Sequence, residues 1–262
     1  MSGYATPGFT DKLTAPRVVV VGLASCFGCQ LQITNGEEHL LDVLGQIDLS
    51  YWQLASSDPM PDEFDVAIVE GAVTTEESEA TVRALRERAD VLIAIGACAT
   101  TAGIPGMAAD HFLERPSHVY DRVPTACGDM IAPRSVGSVV DVDYEVRSCP
   151  VDTVDFIDDL QRVLYGSNKT VSTRTMCGDC KRNETACFFG KGRLCLGLVT
   201  TAGCGAKCVK LGRPCNGCRG LSPDANLPSA REACERYGVP VADFDQALEM
   251  FNRTDFALAA EQ

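Results

Sequence analysis

Several things are missing from these 262 residues, and each absence narrows the field. No stretch of about 18 apolar residues occurs, so no helix of bilayer-spanning length is encoded. Residues 1–17 show no apolar core, no twin arginine and no small-residue cleavage site, which leads us to expect a cytoplasmic protein with no membrane partner. Positive charge is in short supply: 23 Lys and Arg stand against 36 Asp and Glu, a formal net charge of −13. Neutralising phosphates takes a basic face, so no nucleic-acid partner is expected. The three histidines, His39, His111 and His118, are isolated and read as surface or packing groups rather than ligands. No repeat of solenoid length and no low-complexity tract is present.

Cysteine, by contrast, is abundant, with 14 residues in a chain that is 45% hydrophobic. A protein of this size builds its own core and has no need of disulfide staples. In a reducing compartment, closely spaced cysteines are more often thiolate ligands than disulfides, so metal binding is the leading reading. Charge is also uneven. Between Ser167 and Ala225 ten Lys/Arg face three Asp/Glu, a local +7 that leaves −20 for the remainder. This basic segment is also the cysteine-dense one. It is either an ordinary solvated surface or compensation for anionic metal–thiolate centres.

The first two thirds of the chain alternate between strand and helix patterns. Arg17–Leu23 is a β-branched run ending in small residues, which marks a buried parallel strand. Gln30–Leu44 places Leu31, Ile33, Leu40, Leu41 and Leu44 on a roughly helical face interrupted by Gly36, and a strand-like Ile47–Leu54 follows. Asp65–Val69 and Val91–Ile95 are further buried strands around Glu76–Ala89, whose Val82, Leu85 and Ala89 recur at helical spacing. Ser138–Val146 reads as a strand, and Val151–Leu164 as a helix with Val154, Ile157, Leu160 and Leu164 on one stripe. This alternation predicts a doubly wound α/β domain. From Gly166 the periodicity fails, and only Ala230–Tyr237 and Phe244–Phe251 look helical. We therefore expect an extension over 1–16, an α/β domain over 17–166 and a smaller, irregular Cys-rich domain over 167–262. Ligation would supply folding energy that the irregular domain's core cannot.

Cys26 and Cys29 follow the first strand, Cys98 follows Val91–Ile95 and Cys149 follows Ser138–Val146. In an open parallel sheet such turns gather on the carboxyl edge, so thiols far apart in sequence converge there. Four thiols suit a tetrahedral zinc or a [4Fe–4S] cubane, and Cys26/Cys29 alone also resembles a thioredoxin-like redox pair. The C-terminal part holds Cys177-x2-Cys180-x6-Cys187-x7-Cys195 and then Cys204-x3-Cys208-x6-Cys215-x2-Cys218. Eight thiols in 42 residues make two tetrathiolate sites, either zinc ribbons or further clusters. Cys127 and Cys234 are left over. Cys234 falls in a helical stretch, where a buried small hydrophobe is the default. Glu70 ends a strand on the same sheet edge as the first four cysteines, either near their site or a subunit interface, or as an exposed loop carboxylate.

Ala24-Ser-Cys-Phe-Gly-Cys-Gln30, Val69-Glu-Gly-Ala72, Ile95-Gly-Ala-Cys-Ala-Thr100, Gly103-Ile-Pro-Gly106 and Cys149-Pro150 resemble, in that order, the small subunit of nickel–iron hydrogenases. The all-cysteine pattern, Cys195-Leu-Gly-Leu-Val-Thr-Thr-Ala-Gly-Cys204, Pro214-Cys-Asn-Gly-Cys-Arg219 and Met250-Phe-Asn252 resemble the cytoplasmic bidirectional group, the delta subunits of sulfhydrogenases and NADP-linked hydrogenases in particular. Val151 departs from the family, which usually has a second proline there.

The resemblance implies a flavodoxin-like first domain and a role in electron transfer rather than catalysis. It implies three [4Fe–4S] clusters: a proximal one on Cys26, Cys29, Cys98 and Cys149, a distal one on Cys177, Cys180, Cys187 and Cys195, and a medial one on Cys204, Cys208, Cys215 and Cys218. Interleaved ligation among the last eight fits the spacing almost as well. The NiFe centre would lie in a large-subunit partner, and FAD and NAD(P) in iron–sulfur diaphorase subunits. The alternatives are a subunit of an F420-reducing hydrogenase, the cluster-bearing subunit of a complex I-like dehydrogenase, which typically lacks the eight-cysteine extension, and a zinc-stabilised structural adaptor.

Overall fold

The structure, a computed structural model, describes residues 15–36, 41, 43–123, 125–126, 128–167 and 172–260. Cys127, His39 and nearly all of the 1–16 extension lie outside the described residues. The chain divides into two compact units, Met1–Thr170 and Val171–Gln262.

In the first unit the β-branched runs become strands: β1 Arg17–Gly22, β2 Asp48–Trp52, β3 Val66–Glu70, β5 Val91–Ile95 and β7 Tyr144–Val146. They form one parallel sheet in the order β2-β1-β3-β5-β7. Two short strands, β4 Val73–Thr75 and β6 Met130–Arg134, pair antiparallel in a separate sheet that the periodicity did not announce. With these set aside the order is 2-1-3-4-5, the flavodoxin-like topology, whose ligand crevice opens where the strand order reverses.

Both faces of the sheet are covered, which is why its strands read as continuous apolar runs. Val18, Val20, Val66, Ile68 and Ile93 pack on one face with Ile33 of α1 (Gly28–Thr34) and with Phe156, Leu160 and Val163 of a later helix, Thr153–Tyr165. Val19, Val21, Ala67, Val69 and Leu92 pack on the other face against Val82 and Leu85 of α2, Glu76–Arg88. Thr75 begins α2 by accepting the Ser78 N–H at 3.1 Å, an N-cap that satisfies one of the free donors of the first turn.

Three sequence expectations change. Ser138–Val146 is strand only over its last three residues, because Val136–Ser138 winds into a 3₁₀ turn. In Thr153–Tyr165 the stripe rotates: Val154 is exposed, and Phe156 and Val163 join Leu160 and Leu164 in the core. The helix beginning at α1 ends at Asn35-Gly36, and Leu31 and Leu41 are exposed.

Within the second unit, Phe189, Leu196, Val199, Ala230, Cys234, Phe244 and Leu248 form a core between the helices Leu227–Arg236 and Val241–Ala260. The latter helix kinks at Asn252. A second, smaller cluster consists of Met176, Phe188, Ala206 and Val209 with thiols packed around it. No described helix is long and apolar enough to cross a membrane.

Candidate metal centres

Strand register assembles the first site. Gly22, Glu70, Ile95 and Val146 are successive partners across β1, β3, β5 and β7, so these strands end in one row. Cys26, Cys98 and Cys149 follow that row within three or four residues, and Cys29 lies in α1 just beyond. The row includes the β1/β3 switch point.

Backbone contacts then tie the loops together. Leu23 N–H donates to the Glu70 carbonyl at 2.7 Å, and Ala24 and Ala72 exchange hydrogen bonds. Ala97 N–H donates to the Ser148 carbonyl at 2.7 Å, joining α3 (Gly96–Thr101), which carries Cys98, to the Cys149 loop. Val151 N–H donates to Cys29 Sγ at 3.4 Å. Two glycines keep room at the sulfurs: a Cβ on Gly96 would lie 2.4 Å from Cys29 Sγ, and one on Gly28 would lie 3.1 Å from Cys26 Sγ.

Burial pushes the Cys29 thiol up to about 12, opposed by the Val151 N–H and reinforced by the charges of Glu70, Cys149 and Cys98. Burial also raises Cys98 to about 11, with Cys149, Cys26 and Glu70 adding to it, and raises Cys149, with Cys26 and Glu70 adding. Four thiols and one carboxylate thus feel one another. A metal centre bound here would supply positive charge against which these thiols could lose their protons.

Glu70 is the site's main surprise. It is 1% exposed, accepts the Cys29 N–H at 3.1 Å and accepts Gln30 Nε2 at 2.7 Å. Of the alternatives open to it, the structure selects a place at the thiol site. The available signal was a glutamate ending a run of four apolar strand residues.

In the second unit, Cys177 and Cys180 lie one turn apart on the helix Met176–Arg182. Burial raises Cys177 to about 11, and the charges of Cys195, Cys180 and Cys187 add to it, so these four thiols share a neighbourhood. Cys195 is raised by burial and by Cys187 and Cys180, against N–H donation from Gly197 and Cys215. Cys215 rises to about 12 by burial, opposed by the Gly217 N–H and the Thr200 hydroxyl, with Cys195 and Cys218 adding. Cys204 Sγ lies 3.7 Å from Met176 Sδ, and Cys208 is exposed on the one-turn helix Lys207–Lys210. Cys195 touches both sets, since Cys215 N–H donates to its Sγ at 3.3 Å.

Arg219, 8% exposed, adds a nearly buried cation next to Cys218. Its guanidinium passes so close to Gly203, the neighbour of Cys204, that a Cβ there would lie 2.5 Å from Nη2. Cys234 is fully buried in the helical core, as its place in the sequence suggested. His111 and His118 are exposed beside Glu114.

Among the described residues, no three His, Cys, Asp or Glu side chains are gathered tightly enough to hold one metal ion.

The comparisons agree on a family. The model of the NADH ubiquinone oxidoreductase 20 kDa subunit family matches residues 26–163, just over half of the chain. Sulfhydrogenase 2 subunit delta of Pyrococcus furiosus is 32% identical over 243 residues, covering 90% of this chain and 99% of its own. A chain of the F420-non-reducing hydrogenase vhu of Methanocaldococcus jannaschii is 29% identical, covering 91% of this chain and 94% of its own. Among solved structures, one chain of an NAD+-reducing [NiFe]-hydrogenase in its H2-reduced state superposes with a TM-score of 0.53 at 26% identity, over 60% of this chain and 96% of that one. The [NiFeSe] hydrogenase of Desulfovibrio vulgaris Hildenborough, at 16% identity and a TM-score of 0.54 over 81% of this chain and 96% of that one, shares the fold. Through these matches, and with four of its cysteines at the carboxyl edge of a flavodoxin-like sheet, the chain belongs to the NADH ubiquinone oxidoreductase 20 kDa subunit family, as a small, electron-transfer subunit of the [NiFe] hydrogenase kind.

Proposed function

We propose that the chain holds three [4Fe–4S] clusters and links the NiFe site of a large-subunit partner to an iron–sulfur subunit carrying FAD and NAD(P) in the cytoplasm. The first unit would hold the proximal cluster through Cys26, Cys29, Cys98 and Cys149. The second would hold the distal cluster through Cys177, Cys180, Cys187 and Cys195, and the medial one through Cys204, Cys208, Cys215 and Cys218. When bound, these clusters supply one-electron carriers of tunable potential.

The observation that carries the reading is the convergence of four thiols from three strand ends on one crevice, in register and tied by backbone bonds. The donor set, all thiol, suits iron–sulfur ligation. Gly28 and Gly96 leave the sulfurs uncrowded. Backbone N–H groups of Val151 and Cys215 are aimed at ligand sulfurs, the contacts by which a protein tunes a cluster. The names of the relatives, all of them hydrogenase chains, support the large-subunit partner, and that of the NAD+-reducing enzyme supports a pyridine-nucleotide-linked one.

Anaerobic purification tests this directly. Three cubanes predict brown protein with about twelve iron and twelve sulfide per chain. Colourless protein with stoichiometric zinc would overturn the reading.

A further inference from the structure

One set of buried polar contacts in the first unit lies outside the thiols themselves. Trp52 Nε1 donates to Gln30 Oε1 at 2.7 Å, and Gln30 Nε2 donates to Glu70 Oε2 at 2.7 Å. Glu70 Oε1 accepts the Cys29 N–H at 3.1 Å. Trp52, Gln30 and Glu70 are 8%, 0% and 1% exposed, so water does not compete for these groups.

The direction of the relay is set at both ends. An indole N–H and a backbone N–H can only donate. Gln30 must therefore turn its oxygen to Trp52 and its amide nitrogen to residue 70, which leaves residue 70 accepting twice. An ionised carboxylate does this with both oxygens, whereas a primary amide has one acceptor and one donor. The donors thus call for two acceptor oxygens at residue 70, which a glutamate side chain has and a glutamine does not. Burial is the main reason Cys29, Cys98 and Cys149 are raised, and the neighbouring Glu70 adds a smaller contribution at each.

We propose that Glu70 is a positioning residue for the first thiol site: the one-way relay from Trp52 through Gln30 holds it as a doubly accepting carboxylate, which anchors Cys29 and lowers the reduction potential of the bound cluster. Reduction adds a negative charge to the cluster, and a fixed anion inside the protein opposes that with little screening. The inference rests on the proposed cluster ligation by Cys26, Cys29, Cys98 and Cys149.

The test is a redox titration of the intact complex followed by electron paramagnetic resonance, with the relevant signal identified by its loss in Cys98→Ala. Glu70→Gln removes the charge and sets an amide nitrogen against a donor. The expected result is an approximately tenfold rise in the reduced-to-oxidised ratio at fixed potential, a midpoint shift of about +59 mV for a one-electron couple, together with a lower melting temperature. Trp52→Phe, which frees Gln30 to turn its oxygen toward residue 70, is expected to raise the midpoint by less than Glu70→Gln does. In the double variant Trp52→Phe/Glu70→Gln, Gln30 is free to rotate and accept from the new amide. Stability then falls by less than the sum of the single variants, while the midpoint stays raised.

An unmoved midpoint in iron-loaded Glu70→Gln overturns the charge effect, and strictly additive stability losses overturn the relay. Wild-type protein with no cluster signal would instead sink the underlying ligation.

Discussion

At the scale of single residues, chemistry is set by neighbours rather than by residue type. Cys98 and Cys234 are both shielded cysteines, yet Cys98 sits with three thiols and a carboxylate, while Cys234 sits among Ala230, Phe244 and Leu248. Cys98→Ala is expected to abolish hydrogen-dependent dye reduction and to lower iron by about four atoms per chain, measured by activity and metal analysis. Cys234→Ala is expected to retain all iron and to cost about 1 kcal/mol of stability, measured by denaturant unfolding. Equal iron loss in both variants would contradict the assignment. Both placements were legible from the sequence, after a strand end or inside a helical stretch. The burial of Glu70 was not, because a carboxylate at a strand end is compatible with solvent until α1 folds over it.

At the scale of elements, the strand ends do the positioning. Gly96 joins β5 to α3 with φ +79, and its missing Cβ is the space that Cys29 Sγ occupies. Gly96→Ala should therefore cost about 2 kcal/mol or more, combining left-handed backbone strain with overpacking. It should also lower the iron content, which a melting curve and iron assay would show. Strands and α2 were legible because buried runs and 3.6-residue periodicity are local signals. The shortening of Ser138–Val146 and the rotation of the Thr153–Tyr165 stripe were not. Pairing with β5 extends only over Tyr144–Val146, and the buried face of the helix depends on where the sheet lies.

At the scale of the whole molecule, the two units differ in what holds them. The first has apolar layers on both faces of a five-stranded sheet. In the second, the cluster around Met176 contains, among the described residues, only four buried apolar side chains and is otherwise packed by thiols. Removing iron with a chelator should therefore raise amide exchange across Met176–Gly220, while β1, β3 and β5 stay protected. Hydrogen-exchange mass spectrometry checks this, and uniform deprotection of both units would refute it.

The sequence by itself determined the class of the molecule: alternating buried strands and helices, thiols at strand ends, and an irregular segment with eight further cysteines. These follow from local pattern and spacing, which act over a few residues. Only the tertiary structure decided the strand order, the register that lines up Gly22, Glu70, Ile95 and Val146, and the burial of Trp52, Gln30 and Glu70 behind Cys29. Those depend on contacts between residues up to about fifty positions apart, whose energies arise only once the sheet has closed and water has been excluded.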